Sequence, residues 1–168
     1  MSTPPPINAS LEWKLEEAAR LWLLDTGVHG FNINGGDTKA PDVRHHDAAF
    51  DTSTPTESEK LPTLTLPAII LKATREKQLH TQVAVWLCRL EIRLDGAADD
   101  LTDAIWQGYL KAIEDIFSVM DLAGYLTTQV DGFTCLGVVE RAPARRVIIE
   151  RHWSQALNIL LYCQPANR

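Results

Sequence analysis

LHTQVAVWLCRLEIRLD, residues 79–95, changes character from one residue to the next. On an extended chain Ala84, Trp86, Cys88, Leu90, Ile92 and Leu94 fall on one side, which reads as the core face. Val83, Val85, Leu87, Arg89, Glu91 and Arg93 take the other side, which turns from apolar to fully charged at Arg89. Such a period of two specifies a strand with one buried and one partly wet face. A strand of about 15 residues spans roughly 50 Å, beyond the usual length, so it is expected to project and pair with a neighbour.

The flanking segments extend this into a sheet. Upstream, LTLPAIILKATR (64–75) reads as a strand with few charges before Lys72. Downstream, residues 99–118 read as an amphipathic helix capped by Asp99 or Asp100, with an apolar stripe of Leu101, Ile105, Tyr109, Ala112, Ile113 and Ile116. Trp106 falls off that stripe and reads as an interface residue. A helical turn is expected around Leu122–Leu126. FTCLGVVE (133–140) reads as a strand. RVIIERHWSQALNILLYC (146–163) reads as one long strand or two, with a kink near Ser154 where the alternation slips. Ala142–Pro143–Ala144 is read as the turn between these regions.

Towards the N-terminus, residues 10–25 form a helix with Ser10 as cap. Leu11, Leu15, Ala18 and Trp22 share its apolar face, and Glu16 lies one turn before Arg20, a spacing suited to an ion pair. Residues 1–9 hold three consecutive prolines and read as a disordered leader. Residues 26–61, rich in Gly, Pro, Asp, Thr and Ser, read as one long surface loop ordered against a partner, with a short strand hinted at only by Phe31 and Ile33. Consecutive strands joined by short turns favour an antiparallel sheet. The expected fold is therefore α+β: a mainly antiparallel sheet packed against two helices as a two-layer sandwich, in a single domain over 10–168.

Composition narrows the function. The 168 residues carry a net charge of −6, and the split at residue 84 leaves 8 basic and 11 acidic residues in each half. No basic stripe marks a nucleic-acid binder, the nearest feature being Arg141, Arg145, Arg146 and Arg151. No apolar run approaches the ~20 residues of a membrane span. Cys88, Cys135 and Cys163 are odd in number and lie in apolar strands, so they read as buried free thiols of a reducing compartment.

Catalytic candidates lack partners. Asp37, Asp42, His45, His46, Asp47 and Asp51 are metal-capable, yet neighbours on an extended chain point apart, and a site needs three or four converging ligands. Gly35–Gly36 belongs to neither a Walker pattern nor a dinucleotide fingerprint. Nothing places His152 beside a cysteine nucleophile. No catalytic residue, cofactor or metal is expected. The oligomer-interface or lumen candidates are Arg89, Glu91, Arg93, Arg145, Arg146, Asp37 and Asp42.

In order and spacing of elements the chain resembles the tail terminator proteins of long-tailed bacteriophages. The resemblance spans about residues 10–165: an opening helix (LEWKLEEAARLWLL), a proline-led strand (LPAIILKA), a strand ending in alternating charges (VAVWLCRLEIRL), a helix (LTDAIWQGYLKAIEDIF) and closing strands ending in NILLYC. Phe31–Asn32–Ile33–Asn34 matches a short strand that follows the first helix in that family. The long loop and the proline leader go beyond its minimum. The resemblance implies a homo-oligomeric ring, a hexamer, that caps the tail tube, meets the head–tail connector or stopper protein, and lets DNA through as passing cargo. It implies location in the virion tail or neck, and in the host cytoplasm during assembly, without membrane contact. The alternatives are another phage neck or tail-tube component, or a cytoplasmic metal-binding protein or enzyme using the His/Asp loop.

Overall fold

The computed structural model describes residues 9–25, 42–46, 67–79, 84–97 and 103–165. In chain order the elements are α1 (Leu11–Asp25), β1 (Asp42–His45), β2 (Ala68–Gln78), β3 (Trp86–Ala97), α2 (Asp103–Ile116), α3 (Leu122–Gln129), β4 (Phe133–Pro143), β5 (Val147–Ile149) and β6 (His152–Pro165). The strands form one six-stranded sheet in the order β1-β2-β3-β6-β4, with β5 also pairing β6. Every pairing is antiparallel except β1 with β2. The fold is α+β, as the strand and helix periods require. It carries three described helices where two were expected, because the turn at 122–126 extends to a capped helix. Asp121 accepts from the Gly124 backbone N–H there.

Alternation in β3 is realised as read from Cys88 onward: Cys88, Leu90, Ile92 and Leu94 are buried. They meet Ile69, Leu71 and Ala73 of β2 and Leu157, Ile159, Leu161 and Cys163 of β6, all on the same face of the sheet. The apolar sides of the helices close over that face, α1 with Leu11, Leu15, Ala18, Ala19 and Leu23, α2 with Trp106, Tyr109 and Ile113, α3 with Leu122 and Leu126. Burying an aliphatic side chain is worth about 1.5–3 kcal/mol, which makes this single interior layer the main source of stability. The strand does not project. β3 is paired over its full length with β6, from Trp86↔Cys163 to Ala97↔His152, and with β2 on its other side.

Several expectations are corrected. Residues 42–45, read as loop, form β1, held in register by Asp42↔Ala68 to His45↔Leu71. Residues 1–8 of the leader, and 26–41 and 47–61 with Phe31, Ile33 and Asp37 among them, lie outside the described residues. Trp106 is no interface residue: it is 0% exposed, its ring meets that of Trp153 edge-on at 5.6 Å, and its Nε1 donates to Gln155 Oε1 at 3.0 Å. Arg20 pairs with Glu17, not Glu16, through contacts of 2.6 and 2.9 Å.

The chain does not reverse at Pro143. That proline lies in β4 opposite Leu157, tolerated because β4 is an edge strand and gives up no interior ladder bond. The reversal comes at Glu150–Arg151, a two-residue hairpin in which Glu150 adopts φ 55. There Ile148 faces Trp153, so even numbers in β5 share a face with odd numbers in β6. That explains the slipped alternation without a kink at Ser154. The bulges lie instead in β4, between Cys135 and Gly137 and between Val138 and Glu140.

Candidate functional site

The sheet face away from the helices holds the charged half of β3. Arg89 Nε donates to Glu76 Oε1 at 2.7 Å, with both side chains substantially exposed. Glu91 stands between Lys72 of β2 and Asn158 of β6. Arg93 Nε donates to Asp95 Oδ2 at 2.9 Å, and His152 Nε2 lies 3.1 Å from Asp95 Oδ1. Asp95 is only 2% exposed, so its two basic neighbours supply the compensation that a buried carboxylate requires. Arg89, Glu91 and Arg93 are thus brought together on one face, as their shared parity demands.

Arg145 and Arg146 lie in the short link between β4 and β5 and diverge in role. Arg146 Nη1 lies 2.5 Å from Asp103 Oδ1, and its guanidinium sits 4.5 Å over the Trp153 ring. It therefore clamps the start of α2 to the hairpin and is spent on the fold. Arg145 is exposed. Beside it Val147, Ile148 and Ile149 are 53%, 53% and 67% exposed. Three consecutive apolar side chains on an edge strand are the kind of surface that soluble proteins cover with a partner.

A second cluster, missed in the sequence, lies between α1 and β1. The His45 ring bridges two buried carboxylates: Nδ1 is 3.0 Å from Glu16 Oε1 and Nε2 is 2.5 Å from Glu17 Oε2. Trp13 stacks on it at 5.2 Å. Glu16 also accepts from the Ala73 N–H at 2.9 Å, tying β2 to the same helix. Burial opposes the charge on His45, but the hydrogen bonds to Glu16 and Glu17 outweigh it and raise its pKa to about 9. Burial likewise pushes Glu17 up, and the bonds from Arg20 and His45 overcome that and hold it at about 2. With both nitrogens donating, His45 has no lone pair for a metal or for base catalysis. It works as an ionic tie for the edge strand.

His46 points elsewhere, as adjacent residues on an extended chain must. Its Nδ1 is buried without a hydrogen-bond partner, beside a cleft of about 330 Å³ lined by Ser10, Glu12, Trp13, Glu16, Lys72 and Ala73. Among the described residues no group of three or more His, Cys, Asp or Glu side chains is arranged to hold a metal. Asp42 is described only as the start of β1. Asp47 and Asp51 lie outside the described residues. Cys88, Cys135 and Cys163 are buried free thiols, with Cys135 and Cys163 opposite each other across β4 and β6. His152 is engaged by Asp95 rather than by a thiol.

No described helix is long and apolar enough to cross a membrane. Compared with models of known protein families the chain matches none, and a comparison with curated proteins finds no relative.

Proposed function

We propose that this chain is a structural virion protein, a tail terminator that assembles into a ring on the tail tube of a long-tailed bacteriophage and joins it to the head connector. The observation that carries the reading is the edge formed by β5, whose Val147, Ile148 and Ile149 are all more than half exposed. A chain that devotes its fold to a well-packed sheet, yet leaves such an edge open, is built to be covered by protein. The order of elements supports the same reading: an opening helix, the short β1, a proline-led strand, a strand ending in alternating charges, helices, then closing strands.

The mixed charge on the exposed part of the sheet face away from the helices suits a surface that DNA passes without being held. Phosphate binding strengthens with every unopposed cation, and here Arg89 and Arg93 are each paired with an acid. The reading is tested by polymerising the tail-tube protein of the same phage genome with and without this chain. Tubes of limited length, each ending in a ring of about six 18.7 kDa copies, are expected. Tubes that elongate unchecked, with no added density at their ends, overturn it.

A further inference from the structure

The exposed hairpin and a second surface on the same molecule are complementary in charge, and both display apolar side chains. From Arg145 to Arg151 the chain carries three arginines against the single acid Glu150, around the exposed Val147, Ile148 and Ile149; Arg146 is paired with Asp103, which leaves the surface positive through Arg145. From Glu114 to Asp131 it carries four acids and no base. Within that stretch, at the corner between α2 and α3, Met120 is fully exposed and Tyr125 nearly half exposed. Tyr125 is backed by Trp22, stacked at 4.7 Å and 13°, so it is a rigid anchor of the kind that dominates interfaces. The bases facing this stretch are Lys111, paired with Asp115 at 2.7 Å, Arg141, whose Nε donates to the Phe117 carbonyl at 2.8 Å, and Lys14, whose Nζ donates to the Gly132 carbonyl at 3.1 Å beside Asp131.

The two surfaces are well separated. Arg141, which holds the corner, stands opposite Ile159 in β6, whereas the hairpin turns at 150–151. Some eight residues of strand at ~3.3 Å each put them roughly 25 Å apart. A two-fold axis passing through either surface would set arginine against arginine at the hairpin, or acid against acid at the corner. Opposite charges meet when one copy's hairpin reaches another copy's corner, and that contact, repeated head to tail, closes into a ring when the rotation permits.

Building on the self-assembly reading above, we propose that the β5–β6 hairpin of one copy docks on the α2–α3 corner of the next, with Val147 and Ile149 against Met120 and Tyr125, and Arg145 facing Glu114 and Asp115. Met120→Cys and Ile149→Cys chains are mixed and treated with a short bismaleimide, with and without tail tubes. The 120–149 cross-link is expected at least ten-fold above 120–120 or 149–149. Arg145→Glu is expected to lower assembly at least ten-fold, and Glu114→Lys in the same chain to restore it. Oligomers whose cross-links are 149–149, or that form equally well with Arg145→Glu, overturn this interface and leave ring formation standing. A wild-type chain that stays at 18.7 kDa in both conditions removes the self-assembly reading, and the interface with it.

Discussion

His45 and Glu17 meet at 2.5 Å, Nε2 to Oε2, in a position nearly withdrawn from water. The folded pKa of His45, about 9, lies above its ordinary 6.5, so its contribution is complete below about pH 6.5 and fades as pH rises through 9. Glu17, held at about 2 against an ordinary 4.5, contributes fully above about pH 4.5 and loses its share as pH falls towards 2. Urea unfolding across pH should give a plateau between those limits, with a decline of about 3 kcal/mol on the alkaline side. His45→Leu should cost about 2–4 kcal/mol at pH 7, because Glu16 loses its counter-charge and is left, among the described residues, with the Ala73 N–H while Glu17 is left with Arg20, and should abolish the alkaline decline. An unchanged decline in that variant would show that the tie is not ionic.

Trp106 is expected to be the most sensitive residue of α2. Trp106→Ala should cost about 3–5 kcal/mol in chemical denaturation, from lost burial and the cavity left behind. Trp106→Phe should cost about 1–2 kcal/mol, because Gln155 Oε1 loses its donor although its amide still donates to the Ala144 carbonyl. Had Trp106 been a surface residue, both changes would be nearly neutral.

Backbone conformation gives predictions of opposite sign. Gly132 has φ 90, and a Cβ there would stand 2.9 Å from Lys14 Nζ, so Gly132→Ala should destabilise by about 1–2 kcal/mol. Gly108 lies within α2 with open space around it, and Gly108→Ala should stabilise by about 0.5–1 kcal/mol. Glu150 holds the left-handed conformation in a tight hairpin, so Glu150→Gly should also stabilise, by about 0.5–1 kcal/mol. Shifts in the urea midpoint check all three.

Thiol labelling should separate the cysteines. All three are buried, so iodoacetamide should react slowly with the native protein and label all of them readily in denaturant. Hydrogen bonds with Cys135 and Cys88, together with burial, push the Cys163 thiol far above the usual range, whereas Cys88 is lowered by its bond with Cys163. Peptide mapping of partly labelled native protein should therefore find Cys88 modified before Cys163. The reverse order would contradict this arrangement.

What could be read in the chain, and what could not, divides along local and non-local physics. The run from Cys88 to Leu94 declares itself because one side is packed and the other wet, a contrast that the residues carry themselves. β1 does not. Asp42–His45 has one apolar residue, and its strand form depends on the free edge of β2 and on the hold of α1 on His45. Helix spacing points from Glu16 to Arg20, but the partner of Glu16 comes 29 residues later, where spacing within a helix has no reach. Helix spacing puts Trp106 off the stripe through Ile105, yet Trp106, Tyr109 and Ile113 are the buried residues of α2, because Trp106 packs against Trp153 from a distant strand. The hairpin at Glu150 was legible in part, since the parity slip was visible, but its cause, a reversal without glycine, was not.

β6 comes later in the chain than every strand it joins. It pairs β3 on one flank and β4 with β5 on the other, uniting residues as distant as Trp86 and Cys163. During synthesis the earlier strands therefore exist as two halves, each with an unpaired border, until residues 152–165 leave the ribosome. Such late, long-range pairing slows folding, because loop-closure entropy is lost before contacts repay it. A chain interrupted ahead of β6 would expose the inner borders of β3 and β4, templates for aggregation that the finished sheet conceals.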